Sequence, residues 1–441
     1  MSGIFGFIGG SNAFDEIKVG LENLSHRGQE SWGIVCRQRD GSFSEARGTG
    51  SIIQASPGTY SYGAAGIGQV RYPTSSEANQ RNSQPIAGTF KKDKIAIVHN
   101  GHIPGYKRMV EKLGGLFQTE TDTEVILHMI ARAEGSDLLE KMEKTLSSLG
   151  RESAFSIIIL HEGILYAARD PFGFRPLSIA RRGEDDDYDW AVASETCAFH
   201  GTFEWITDVE PGTIAVLDGN NIRTVSYASP DPHPCIIEWL DYASPASRVF
   251  SKSCYESREH IGFKLGQTEQ QKADIVVPIP RAAIPAAVGF HDATGIPFKM
   301  AINTVSEIGR VFIISKEKDR FSQAEKKFQI NEELVHGREV FLIDSLLVRG
   351  STAMVLIPRL REAGATGIHL RLTAPPPRFP CLMGMAMAKP GELLANNRTD
   401  DQLAKLLSVD TFRYVPIEGL RELIGTQFCD ACLTGLYPIP V

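Results

Sequence analysis

Cysteine is scarce: seven in 441 residues (Cys36, Cys197, Cys235, Cys254, Cys381, Cys429 and Cys432) are too few and too scattered for a disulfide framework. Free thiols or metal binding are the remaining uses. Long apolar runs are also missing, since the stretch around Ile157 to Leu160 falls far short of the roughly 20 residues a membrane helix needs. There is no excess of positive charge either. Lys and Arg number 46 against 53 Asp and Glu, a net of −7, which leaves no basic field to attract nucleic acid or an anionic membrane. The apolar opening Ser2 to Gly10 has no basic flank, so it reads as a first strand and not as a signal peptide. A cytoplasmic location is expected. No repeat and no low-complexity tract occurs, and 42% hydrophobic with 22% charged residues describe a folded chain long enough for two domains.

The first half reads as short strands with few helices. Gly3 to Ile8, Ile95 to Val98, Ser156 to Leu160 and Thr213 to Leu217 are apolar runs bounded by Gly, Asp and Asn turns. Helical spacing appears over Asp15 to Leu24 and over Asp122 to Ala133, where Val125, Ile126, Met129 and Ile130 recur at three and four residues. Tyr227 to Pro234, rich in Pro and polar residues, reads as the crossing between domains, giving expected domains of 1–230 and 231–441. Beyond it strand and helix alternate: Asp274 to Ile279 before Ala282 to Phe290, Val340 to Ile343 before Thr352 to Ala363, then Ile368 to Leu372. That rhythm predicts a parallel sheet with ligands at the carboxyl ends of its strands.

Three groups of residues invite chemistry. Asp344 to Thr352 follows a strand and opens a helix, where Arg349, Gly350, Ser351 and Thr352 supply charge, close backbone approach and hydroxyls for a phosphate; an ordinary capped loop is the plain alternative. Cys429-x-x-Cys432 with the distant Cys235 and Cys381 suits a cubane cluster or zinc, against buried free thiols. His26, His99 and His102 lack metal-ligand spacing and read as structural, and the acidic run Glu184 to Asp187 reads as a solvated loop.

The stretches Leu24-Ser-His-Arg-Gly-Gln-Glu30, Val70-Arg-Tyr-Pro-Thr74, His99-Asn-Gly101, Thr121-Asp-Thr-Glu124, Arg169-Asp-Pro-Phe-Gly-Phe-Arg-Pro-Leu177, Val192-Ala-Ser-Glu195 and Val348-Arg-Gly-Ser-Thr352, with the four cysteines, run the length of the chain. In this order they resemble the glutamine phosphoribosylpyrophosphate amidotransferase (amidophosphoribosyltransferase) family. The resemblance implies a two-domain α+β and α/β fold. An N-terminal class II glutamine amidotransferase domain, an Ntn-hydrolase αββα sandwich, would be joined to a C-terminal type I phosphoribosyltransferase domain with a parallel sheet. It further implies that Arg71 and Asp122 hold the α-carboxylate and α-amine of glutamine, that Asn100 and Gly101 form an oxyanion hole, and that Arg27 and Gly28 line the same pocket. Cys235, Cys381, Cys429 and Cys432 would ligate a structural [4Fe-4S] cluster, and the protein would be a homo-oligomer.

The chain departs from the family at several places. Ser2 stands where the family has a cysteine exposed by loss of the initiator methionine; a serine can use its own α-amine as base, although it is a weaker nucleophile. The family's paired acids are Asp344 and Ser345 here, the pyrophosphate loop reads Pro280-Arg-Ala-Ala283 without hydroxyls, and Thr304-Val-Ser-Glu307 has no Lys or Arg, so a role for Mg²⁺ is in doubt. The favoured expectation is an amide-cleaving hydrolase or acyl or amido transferase that uses Ser2 on glutamine or a similar amide, in a specialised pathway such as natural-product synthesis. Two alternatives stand beside it: a true amidophosphoribosyltransferase of purine synthesis, and a non-catalytic regulatory homologue that binds a nucleotide or sugar phosphate.

Overall fold

The computed structural model describes all residues except 1, 11, 56–62, 73–78, 185–186, 220, 306–324, 386, 388 and 440–441. The expectations for Pro73-Thr74, for Ser306-Glu307 and for the middle of the acidic run lie outside these residues. Glu184 and Asp187, its ends, are exposed partners at the end of a strand pair.

Ser2–Ile8 forms the middle strand of a seven-stranded sheet because its residues alternate between two apolar environments. Phe5 and Phe7 face the helix Ala13–Asn23, with Phe14, Ile17 and Leu21. Ile4 faces the other way, towards Ala96, Val98 and Ile158 of a second, six-stranded sheet. The strands Asp93–His102 and Ala154–His161 at the heart of that sheet are buried on both faces. Ile97, Ile157 and Ile159 pack outward under the helices Asp122–Arg132 and Leu138–Leu149. The result is a four-layer αββα stack, as the resemblance implies. The Asp122 helix starts beneath an N-terminal Thr121 and carries Asp122 and Glu124 in its first turn, where carboxylates favour the exposed amides.

The last strand of this stack, Asn221–Ser226, is followed by 227–234 without helix or strand. A four-stranded parallel sheet then orders Ile275–Pro278, Glu339–Asp344, Gly367–Leu372 and Thr411–Tyr414 side by side. Ile284–Thr294 and Ser351–Glu362 are the helices expected after the first two strands. Among the described residues no helix is long and apolar enough to cross a membrane.

A buried ionic knot joins the two parts. Arg27 is fully buried; its Nη1 and Nη2 donate to the two oxygens of Glu238 at 3.0 and 2.9 Å, and Nη1 also meets Glu195. Burial alone weakens a guanidinium's charge, but Glu238 and Glu195 more than offset this and hold the Arg27 pKa above its ordinary value. Removing one member strands the others in a low-dielectric interior. Arg27→Met is expected to lower stability by about 3–5 kcal/mol, read as a fall in the urea midpoint, because two buried carboxylates lose the guanidinium they share; an unchanged midpoint would show that the knot does not stabilise the fold.

Candidate functional site

Strand register brings the first site together. Ser2 pairs directly with Arg71 in the central sheet, and Arg71 also pairs with Ser31. The Ser2 backbone nitrogen donates to Asn100 Oδ1 at 3.1 Å, which orients the Asn100 amide and turns its Nδ2 away from that donor. Nδ2 is buried and has no hydrogen-bond partner among the described residues. An orphaned buried donor is costly unless something fills it. Gly101 fits its position because a Cβ there would overlap the carbonyl oxygen of Ala154. A Cβ at Gly28 would likewise overlap the Arg71 backbone.

Arg71 and Asp122 supply opposite charges to this region. Arg71 is 5% exposed and its Nη1 donates to the Asn82 carbonyl at 3.0 Å; burial lowers its pKa, opposed by Asp122 and Glu30. Asp122 accepts from the Ile103 amide at 3.0 Å and lies 3.6 Å from His102 Nδ1 and 3.8 Å from His99 Nδ1. Burial pushes its carboxyl up, but the two histidines and the amide outweigh burial and bring it down to about 2. It is an anion at neutral pH. His99 and His102, read from sequence as structural, thus flank a charged group.

Arg27 has a different occupation from the one expected. Its Nε donates to the Ser2 carbonyl at 2.9 Å and the rest of the guanidinium is taken by Glu195 and Glu238, so it fixes the backbone of Ser2 instead of offering a donor to a ligand.

A second site opens where the two parts meet. A cavity of about 440 Å³ is lined by Ser25, His26 and Gln29 on one side and by residues 344–353 and 279–282 on the other. These are the carboxyl ends of the parallel strands. Gly350, in the left-handed region at φ 74°, starts the helix, so Ser351 and Thr352 present their amides and hydroxyls at its positive end. Arg349 is held by Glu392, with Nε 2.9 Å and Nη2 2.6 Å from one carboxylate oxygen. Burial, and then the nearby Asp241, push Asp344 up to about 7. Ser345 does not supply a second acid: its hydroxyl donates to Asp241 Oδ1 at 2.7 Å. Segment 304–307 lacks a cation, yet Lys327, beside the strand Phe328–Ile330 that pairs with Ile302–Thr304, lines the cavity together with Arg281. Asp241 and Lys327 escaped the sequence reading because each reaches the cavity from a distant element.

The four cysteines form a third group. Cys235 and Cys429 are joined by a parallel bridge, with Ile236 N donating to Cys429 O and Cys429 N to Pro234 O. Cys381 Sγ accepts the amides of Met383 and Met385 at 3.3 and 3.4 Å. Burial pushes Cys235 up to about 11 and raises Cys429 and Cys432, each further raised by other cysteines of the set. A zinc ion bound at about 2.3 Å draws its sulfurs to about 3.8 Å from one another. Among the described residues the trio of ligand atoms that lie within 4.8 Å of one another is His26, Glu195 and Cys197, and the four cysteines are not gathered that tightly. Amides directed at a sulfur fit an iron–sulfur centre. The His26 trio itself is poorly suited to a metal, because Arg27 already occupies Glu195.

Residues 73–201 match the family model described as a glutamine amidotransferase domain. An amidophosphoribosyltransferase of Methanothermobacter thermautotrophicus is 35% identical over 97% of this chain and 91% of its own length, and one of Bacillus subtilis is 31% identical over 100% and 94%. A solved structure of the glutamine phosphoribosylpyrophosphate amidotransferase from B. subtilis, complexed with ADP and GMP, superposes with a TM-score of 0.89 at 30% identity, covering 99% of this chain and 97% of that one. Likeness of this extent, spanning both the stacked sheets and the parallel sheet, shows that the chain belongs to the amidophosphoribosyltransferase family.

Proposed function

We propose that this chain is an amidophosphoribosyltransferase that cleaves the amide of glutamine at Ser2 and delivers ammonia to a phosphoribosyl acceptor in the cavity between its domains. The observation that carries this reading is the presence of both half-sites on one chain that matches the family from end to end. It favours the purine-synthesis alternative over the amide hydrolase first expected from Ser2. In this reading Met1 is removed and the freed α-amine of Ser2 acts as general base. Asn100 Nδ2 and the Gly101 amide stabilise the oxyanion, while Arg71 and Asp122 match the carboxylate and ammonium of glutamine. Gly28 keeps the backbone close to Arg71. Arg349, Gly350, Ser351 and Thr352 hold the phosphate of the sugar phosphate, and Asp344 faces its ribose hydroxyls. We place the domain boundary at 230/231 and read the protein as a cytoplasmic homo-oligomer acting on small molecules.

A second reading, amide cleavage with a different acceptor, is favoured by Ser345. Its hydroxyl is spent on Asp241 and gives no carboxylate for a metal, and the loop 281–283 has no hydroxyl. The deciding experiment follows glutamine- and Mg²⁺-dependent release of pyrophosphate from phosphoribosyl pyrophosphate. Release supports the first reading; ammonia release from glutamine without pyrophosphate leaves the second. Ser2→Ala is expected to reduce ammonia release on the order of a thousandfold or more, and intact mass should show Met1 absent. Retained turnover would remove Ser2 from the chemistry.

The cysteines are proposed to hold a [4Fe-4S] cluster that serves structure. Protein purified without oxygen should be brown, absorb broadly at about 400 nm, bleach with dithionite and carry about four irons per chain. A colourless, iron-free preparation would refute the assignment.

Asp344 makes phosphate binding depend on pH. With its carboxyl raised to about 7, it is largely neutral at pH 6 and charged at pH 8, where it opposes an anion. In calorimetry with ribose 5-phosphate and no divalent cation, wild type is expected to lose affinity from pH 6 to 8 by a factor on the order of ten relative to Asp344→Asn. Parallel pH profiles for the two proteins would contradict this role.

A further inference from the structure

The loop Arg169 to Leu177 carries a second fully buried guanidinium, Arg175, that neither half-site uses. Asp170 holds this loop in shape by accepting the amides of Phe155 and Phe172, each at 3.0 Å, and of Phe174 at 3.4 Å. Ser156 Oγ donates to the Arg175 carbonyl at 3.0 Å. The side chain is thereby delivered to a fixed place between two domains. Nη1 lies 3.5 Å from Glu238 Oε1, and Nη2 donates to the carbonyl of Met383, whose own amide donates to Cys381 Sγ. Nε is buried and has no hydrogen-bond partner among the described residues.

The surroundings of Arg175 are sulfur on one side and carboxylate on the other. The Cys235 amide donates to the carbonyl of Phe174, the residue before Arg175, and the Met383 carbonyl that Nη2 holds lies next to the amide bonded to Cys381. Glu238 is also gripped by both terminal nitrogens of Arg27, and Arg27 Nε holds the Ser2 carbonyl. A chain of buried polar contacts therefore runs from Cys381 through the Met383 backbone, Arg175, Glu238 and Arg27 to Ser2. Each link is directional, and the guanidinium forks make it stiff.

We propose that Arg175 is a positioning residue that couples the cysteine centre to the Ser2 end of the amide-cleaving site, with Nη2 holding the Met383 carbonyl beside Cys381 and Nη1 holding Glu238. The inference rests on reading the cysteines as cluster ligands and Ser2 as the nucleophile. A cation and an N–H donor beside sulfur raise the reduction potential of an iron–sulfur centre. Removing them lowers it.

The test uses the full-length protein purified without oxygen, with iron content, the reduction potential from titration of the visible absorbance, and kcat and KM for ammonia release from glutamine. Arg175→Gln is expected to keep its iron, shift the potential downward and lower kcat about tenfold with KM within twofold of wild type. Glu238→Gln cuts the chain on the Ser2 side only, so kcat falls while the potential stays or moves upward. Arg175→Lys keeps the charge but not the fork; it covers the case in which Arg175→Gln does not fold, and it should hold the potential near wild type while kcat falls. Iron-loaded Arg175 variants with wild-type potential and kcat would overturn the coupling alone. Wild-type protein with no iron, or with no amide cleavage, would overturn the underlying reading and the coupling with it.

Discussion

One buried carboxylate, Glu238, stands at the centre of this structure. It receives Arg27 from the stacked sheets in a two-pronged contact and Arg175 from the same domain at longer range, while the segment that bears it belongs to the other half of the chain. Three ions without solvent can coexist only if their geometry is fixed. That requirement propagates. Tyr242, one turn beyond Glu238, donates to the Arg27 carbonyl at 2.8 Å and lies beneath its guanidinium, and Glu195 takes the remaining charge together with Ser244 and Ser247. The two domains are thus joined by ionic and hydrogen-bonded contacts of defined direction, and the cavity between them inherits that definition.

The arrangement also explains a division of labour among the arginines. Arg71 sits in strand register with Ser2 and carries charge towards an ionised Asp122. Arg27, next to the same strand, is spent on structure. Arg349 lies at the cavity but is shared with Glu392, so the charge it brings there is tempered by a neighbouring carboxylate. The helix that begins after Gly350 contributes its amides regardless of any side-chain pairing.

Much of the architecture was legible in the residue pattern because both periods were strong. Gly3 to Ile8 and Ile95 to Val98 are strands whose alternating residues face different layers, and the helix over Asp122 to Arg132 obeys its three- and four-residue spacing. The parallel sheet followed from strand and helix in alternation. Motif residues such as Asn100, Gly101 and Asp122 came with the family resemblance. What could not be read were pairings across long separations: Arg27 with Glu195 and Glu238, Ser345 with Asp241, Arg175 with Glu238 and the Met383 carbonyl. A buried Arg and a solvated Arg look alike in a sequence, since only the fold decides which carboxylate is opposite. Lys327 escaped for the same reason, as its route to the cavity depends on the strand pair Ile302–Thr304 and Phe328–Ile330.

The bridge between Cys235 and Cys429 has a consequence for the order in which the molecule is assembled during synthesis. The first residue of the pair emerges just after the stacked sheets are finished, whereas its partner and Cys432 follow almost two hundred residues later. Domains commonly fold as they leave the ribosome, amino-terminal part first. The sheets around Ser2 supply Glu195 as a partner for Arg27 from the same domain, so they can close before Glu238 docks. The thiol set is complete only when the strand Thr411–Tyr414 and the residues beyond it are in place. The last part of the chain to be made thus supplies the backbone bridge that ties the end of the second domain to its start.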